Sequence, residues 1–147
     1  MAYSRRTNGR YKSMSDKDQK VIFPADAPLY YNEWKFSPAI EANGFVFVSG
    51  CTGTMDDGTV PVGITAQTTQ AFHKINRCLE EANVGFSDIV EITTYHVELN
   101  RYLQEFIRAK DEFIAKPYPA WTAIGVSELA SEGALVEIRV TAKSRYD

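Results

Sequence analysis

Two apolar rhythms alternate along the chain. Phe45-Val46-Phe47-Val48-Ser49 is a short apolar run that stops at Gly50, which predicts a strand. Ile64, Ala71, Ile75, Cys78, Leu79 and Ala82 then recur at steps of three and four, so they share one face of a helix. His73, Lys74, Arg77, Glu80 and Glu81 fall mostly outside that face, and Gly85 is the expected stop. Ile89 to Glu98 is rich in β-branched residues and predicts a second strand. Asn100 is placed to cap a second helix, because its side chain can accept from the free amides of a first turn. Leu103, Phe106, Ile107, Lys110, Phe113 and Ile114 keep helical spacing, with Lys110 the one break in the stripe, and Pro117 and Pro119 end the run. Phe72, Phe106 and Phe113 read as core or helix-packing residues. Trp121 to Val126 and Leu135 to Ala142 predict two closing strands. Asp56-Asp57-Gly58 marks a turn, and residues 23–38, with Pro24, Pro28 and Pro38, read as an extended lead-in.

The last strand alternates informatively. Val136, Ile138, Val140 and Ala142 share one face, while Leu135, Glu137, Arg139 and Thr141 share the other. The apolar face is expected to pack under the two helices. In the strand before it, Thr122, Ile124 and Val126 share a face, and Trp121, Ala123 and Gly125 share the other. The order strand, helix, strand, helix, strand, strand predicts an α+β sandwich with two helices on one face of a mixed sheet. A sheet face that carries Leu135 and Trp121 beside charges calls for burial by another subunit.

A chain of 147 residues suits one domain, and its 44% hydrophobic and 24% charged composition is that of an ordinary globular protein. Charge is uneven. Residues 1–20 hold six basic and two acidic side chains, a balance of +4, which leaves −7 for the remainder of a chain whose net charge is −3. This argues against a nucleic-acid partner, since such affinity rests on phosphate neutralisation. Residues 1–20 are expected to be a flexible basic tail, with a transit peptide or an extension ahead of Met14 as the alternatives, and the folded domain at 21–147. No apolar run precedes Val21, so neither a signal peptide nor a membrane partner is expected. Cys51 and Cys78 read as reduced thiols of a cytoplasmic protein. His73 and His96 fall on different elements, and no metal site is expected.

Five segments together resemble the Rid (YjgF-like) family. They are the strand ending Val48-Ser49-Gly50, the helix start Ala66-Gln67-Thr68-Thr69-Gln70-Ala71 and the strand Asp88 to Tyr95. Pro119-Ala120-Trp121-Thr122 and Gly133-Ala134-Leu135-Val136-Glu137-Ile138 complete the set, in order. The resemblance runs from about Ser37 to Ala142. It implies a chorismate-mutase-like fold and a homotrimer whose sheets form a central β-barrel, with clefts between subunits. It also implies hydrolysis of reactive enamines or imines, with release of ammonia and no cofactor. In such enzymes an Arg after the Pro-Ala pair grips a substrate carboxylate in a bidentate contact, and a Glu on the last strand positions or activates water.

Carried over by residue, that Glu is Glu137, Gly50 lines the cleft through its backbone, and Thr122 takes the place of a small hydroxyl residue. Trp121 stands where the Arg would be, Phe36 where many members have Tyr, and Ala123 where Cys is frequent. A Trp ring favours an aromatic, apolar or cationic ligand over an anion. Arg139, two residues beyond Glu137 on the same strand face, would either supply the anion grip or neutralise Glu137. His96 is a candidate acid or base and Cys51 a candidate cleft thiol. Three readings follow: an imine or enamine hydrolase acting through Glu137, a trimer that binds a small metabolite without turnover, and a ribonuclease or translation inhibitor. The −7 balance beyond residue 20 opposes the last.

Overall fold

The computed structural model describes residues 5–7, 10–12, 19–25 and 28–145. A hairpin joins β1 (Arg5–Thr7) and β2 (Arg10–Lys12). The expected flexibility of residues 1–20 falls largely outside the described residues. The remaining strands are β3 (Lys20–Ile22), β4 (Ala39–Ala42), β5 (Phe45–Thr52), β6 (Ile89–His96), β7 (Ala120–Gly125) and β8 (Val136–Lys143). They form one sheet in the order β3-β4-β5-β8-β6-β7, with β6 and β7 parallel and every other pair antiparallel. The helices are α1 (Pro28–Glu33), α2 (Ile64–Glu81) and α3 (Leu99–Asp111).

This is the mixed-sheet α+β sandwich expected from the patterning. The apolar stripe of α2 (Ile64, Ala71, Ile75, Cys78 and Leu79) is buried against Val46, Val48, Val136, Ile138, Val140 and Ala142 of the sheet. Burying the Val, Leu and Ile side chains among them contributes about 1.5–3 kcal/mol each. Phe72 stacks on Phe113 at 5.0 Å, and Phe86 meets both rings edge-on, so the expected aromatic packing is present.

Boundaries differ where backbone geometry overrides propensity. Asn83, at φ 57°, turns the chain after α2, and Gly85 lies beyond in extended backbone. Glu98, at φ 55°, precedes α3, so Asn100 sits inside the first turn instead of capping it. That helix ends at Asp111, ahead of the two prolines. The lead-in over residues 23–38 contains α1, and β3 and β4 flank it; their brevity left no periodic signal to read.

Candidate functional site

Cross-strand register separates the two faces of the sheet. Ile92, Thr94 and His96 of β6 pair with Val140, Ile138 and Val136 of β8, and these six side chains lie buried on the helix-covered side. On the opposite, open side Tyr95 pairs with Glu137, and Thr93 pairs with Arg139. Thr122 extends the second of these rows from β7. Thr52 extends the first from β5, and Phe45 and Phe47 continue the same face at about 40% exposure.

Glu137 and Gly50 are brought together on this open side. A β-bulge in β5 between Val48 and Cys51 carries Gly50 under the Glu137 side chain. A methyl group at Gly50 would lie 2.9 Å from Cδ and 3.0 Å from Oε1 of Glu137, so the carboxylate occupies the space that glycine leaves. Glu137 is half-buried and makes no hydrogen bond or ion pair among the described residues. Burial penalises a charge outside any ion pair, and only the longer-range charges of Lys74 and Cys51 act on this one. Nearby, Lys74 donates from Nζ to the Thr52 carbonyl at 2.9 Å. Burial holds its pKa below the usual lysine value, while the charges of Cys51, Asp56 and Glu137 act against that shift. Sequence reading put Lys74 outside the apolar face of its helix; spacing alone cannot tell that its tip reaches the end of β5.

Other candidates are placed elsewhere. Trp121 pairs with Ile92 and so lies on the helix-covered side, not with the charges of the open face. The alternation was read in the right phase, but it does not say which phase meets the helices. Its Nε1 donates to Thr94 Oγ1 at 2.9 Å, its ring lies 5.9 Å from that of Phe106, and Lys110 Nζ sits 4.6 Å from the ring centroid. That cation–π contact explains the break in the α3 stripe. Leu135 precedes β8 and packs against the core. Arg139 is exposed on the side of the sheet opposite Trp121, so within one chain it does not fill the position that Trp121 takes. Phe36 is half-buried just before β4.

Cys51 pairs with Ile138 and turns to the helix-covered side. Burial pushes its thiol up to about 11, which disfavours the reactive thiolate, and Cys78 is likewise pushed up to about 12. His96 is 1% exposed, bonded through Nε2 to Thr94 Oγ1 at 2.7 Å and edge-on to Phe106. Neither residue joins Glu137. Among the described residues no group of three His, Cys, Asp or Glu is placed to hold a metal ion, and no helix is long and apolar enough to cross a membrane.

Burial lowers the His96 pKa from 6.5 to about 4. Above pH 6.5 the imidazole is neutral both folded and unfolded, so it contributes no pH dependence. Between 6.5 and 4 the unfolded chain takes up a proton that the folded chain resists, and stability falls as pH falls. Urea unfolding at about pH 7 and about pH 5 is expected to show this loss, with a smaller one in His96→Phe. An equal loss in both proteins would assign it to other groups.

Residues 27–144 match the family model described as endoribonuclease L-PSP. The RutC family protein YjgH of Escherichia coli is 35% identical over 127 residues, covering 86% of this chain and 95% of that one. A crystal structure of YyfA from Yersinia pestis, described as a protein of unknown function of the conserved Rid family, superposes with a TM-score of 0.77 at 29% identity. It covers 85% of this chain and 98% of that one. A bovine protein named 2-iminobutanoate/2-iminopropanoate deaminase is 28% identical over 135 residues, 88% of this chain and 93% of its own.

Proposed function

The chain belongs to the endoribonuclease L-PSP family, the Rid family of the YjgF type, and on that premise we propose that it hydrolyses a reactive imine or enamine at a cleft completed by a neighbouring subunit. The observation that carries this reading is the Glu137 carboxylate, lodged over the Gly50 backbone on an open sheet face with no hydrogen bond or ion pair among the described residues. In the reaction, water adds to the C=N carbon and gives up a proton to Glu137. The proton passes to the nitrogen, giving a carbinolamine, and the hydroxyl proton follows by the same route as the C–N bond breaks, leaving a carbonyl compound and ammonia. No cofactor enters that balance. The deaminase named among the relatives supports the reaction class.

The exposed Phe45, Phe47 and Ile124 on the open face support burial against further copies of the chain, in a homotrimer. Sedimentation should then give a mass about three times 16.5 kDa. Trp121 lies on the other side of its own sheet, so it would reach a Glu137 site only across a subunit boundary.

The deciding experiment is ammonia release from imines made in place by amino-acid oxidases, with aromatic and carboxylate-poor members included. Acceleration over spontaneous hydrolysis supports the hydrolase. Its absence across the panel, with the assembly intact, removes that reading in favour of a trimer that binds a metabolite without turnover. Trp121 in the place of an anion-gripping Arg is the feature that favours this second reading. Gly50→Ala is a finer probe. The new methyl displaces the flexible Glu137 side chain and leaves backbone untouched. Its expected effect is a loss of about tenfold in kcat/KM or more with little change in stability, since small misplacement of a reacting group is costly.

A further inference from the structure

On the premise of imine hydrolysis at Glu137, we infer that Thr52 is a second water-positioning residue. Its hydroxyl oxygen accepts one hydrogen of the water molecule whose other hydrogen Glu137 takes as a proton. A carboxylate alone holds such a water by one hydrogen bond, about which the molecule can swing. The neighbouring strand supplies the second anchor.

Thr52 ends β5 directly opposite Glu137 in the register with β8. Opposed residues turn their side chains to the same side of a sheet, so Thr52 shares the open side with Glu137, and in such pairs the Cβ atoms lie about 4.5–5.5 Å apart. No hydrogen bond joins these two side chains among the described residues. Polar groups opposed beyond direct contact are the usual setting for a bridging water. Thr52 is 8% exposed and Glu137 is half-buried, so both retain contact with solvent while much of their surface is held from it.

Hydrogen bonding settles what Thr52 offers. Thr54 Oγ1 donates to Ser131 Oγ at 3.2 Å, which uses its one hydroxyl hydrogen. Thr52 Oγ1 lies 2.7 Å from Thr54 Oγ1, so Thr52 is the donor in that bond. Its own hydrogen is thereby spent, and to any further partner it presents lone pairs only. A direct bond to the Glu137 carboxylate is closed to it, because both oxygens would be acceptors. A water molecule between them donates to each. Held by both hydrogens, it keeps an oxygen lone pair for the C=N carbon.

The backbone of Thr52 is fixed as well. Lys74 Nζ donates to its carbonyl at 2.9 Å. The next residue, Gly53, lies so close to α2 that a methyl there would stand 2.5 Å from Gln67 Cα. The end of β5 is thus clamped between α2 on one side and the Thr54–Ser131 contact on the other, and the acceptor keeps its place beside Glu137.

The test joins a crystal structure of the full chain, at a resolution that places water molecules, to kcat and KM of three variants on the imine panel. One water should lie within hydrogen-bonding distance of both the Glu137 carboxylate and Thr52 Oγ1. Thr52→Val should lose that water and lower kcat by about tenfold or more with KM little changed, since only the orientation of the attacking water is lost. Thr52→Ser, which keeps the hydroxyl, should retain about half of the wild-type kcat or more. Thr54→Val leaves Thr52 in place but frees its hydrogen to turn to the carboxylate, so kcat should fall there too. No shared water, wild-type kcat in either valine variant, or a fall confined to KM would each overturn the proposal. The wild-type density decides the matter even if Thr52→Val fails to fold. A shared water in a protein that turns over no imine would overturn the hydrolase reading alone.

Discussion

Glu137→Gln is expected to lower kcat/KM for imine hydrolysis by about 100-fold or more, the scale of a lost general base, with little change in the thermal midpoint. The amide keeps the shape of the side chain and its seat over Gly50, and it can still hold a water molecule. It cannot take the proton that water must give up as it adds to the C=N carbon. Stability should hardly move, because the carboxylate makes no hydrogen bond or ion pair among the described residues that the substitution would break. Its electrostatic ties to Lys74 and Cys51 are what the substitution removes. The comparison is ammonia release at equal concentrations of folded wild type and variant, together with a melting curve. A variant retaining a third of the wild-type rate would remove Glu137 from the chemistry. An inactive variant with a collapsed melting curve would instead make Glu137 a structural residue.

The elements that could be read from sequence are those whose periodicity is imposed by a two-sided environment. Val136, Ile138, Val140 and Ala142 alternate because one side of β8 is the core and the other is not, and each is at most 1% exposed. The α2 stripe was legible for the same reason. Strands β3 and β4 were missed because three and four residues hold at most two alternations. Trp121 was misplaced because β7 is an edge strand. Neither of its phases is fully buried, so alternation alone gives no sign of which one meets α3. The nearness of Glu137 and Gly50 was suggested by resemblance, yet the bulge that produces it is a local register shift with no signature in either segment. His96 illustrates the opposite limit. A lone strand histidine is usually just hydrogen-bonded, and one of its nitrogens is; the other is buried without a partner among the described residues, which no spacing in the sequence signals.

Gln67→Met is expected to cost about 3 kcal/mol, or about 10 °C in the thermal midpoint. The residue is 2% exposed on α2, and in the sequence it appears only as one letter of a Gln-rich helix start. Its Nε2 donates to the carbonyls of Pro61 and Gly133, at 2.9 and 3.2 Å, and its Oε1 accepts from the Leu135 amide at 2.7 Å. One side chain thus satisfies three backbone groups in two connections, which Thr54 Oγ1 also joins through Ser131 Oγ at 3.2 Å. Methionine has nearly the same volume, so no cavity opens, and the cost is that of the stranded polar groups. Each is worth about 1–3 kcal/mol when fully buried, and water entering from the loop side recovers part of the sum. Gly53 packs against the same place: a methyl there would stand 2.5 Å from Gln67 Cα, so α2 approaches too closely for the segment to shift and find new partners. Leu135 lies two residues before Glu137, and loosening its anchor should also blur the seat of the carboxylate. Activity is then expected to fall at temperatures well below the midpoint. A midpoint shift under about 3 °C would mean that water replaces the amide fully, and that Gln67 orders these loops without stabilising them.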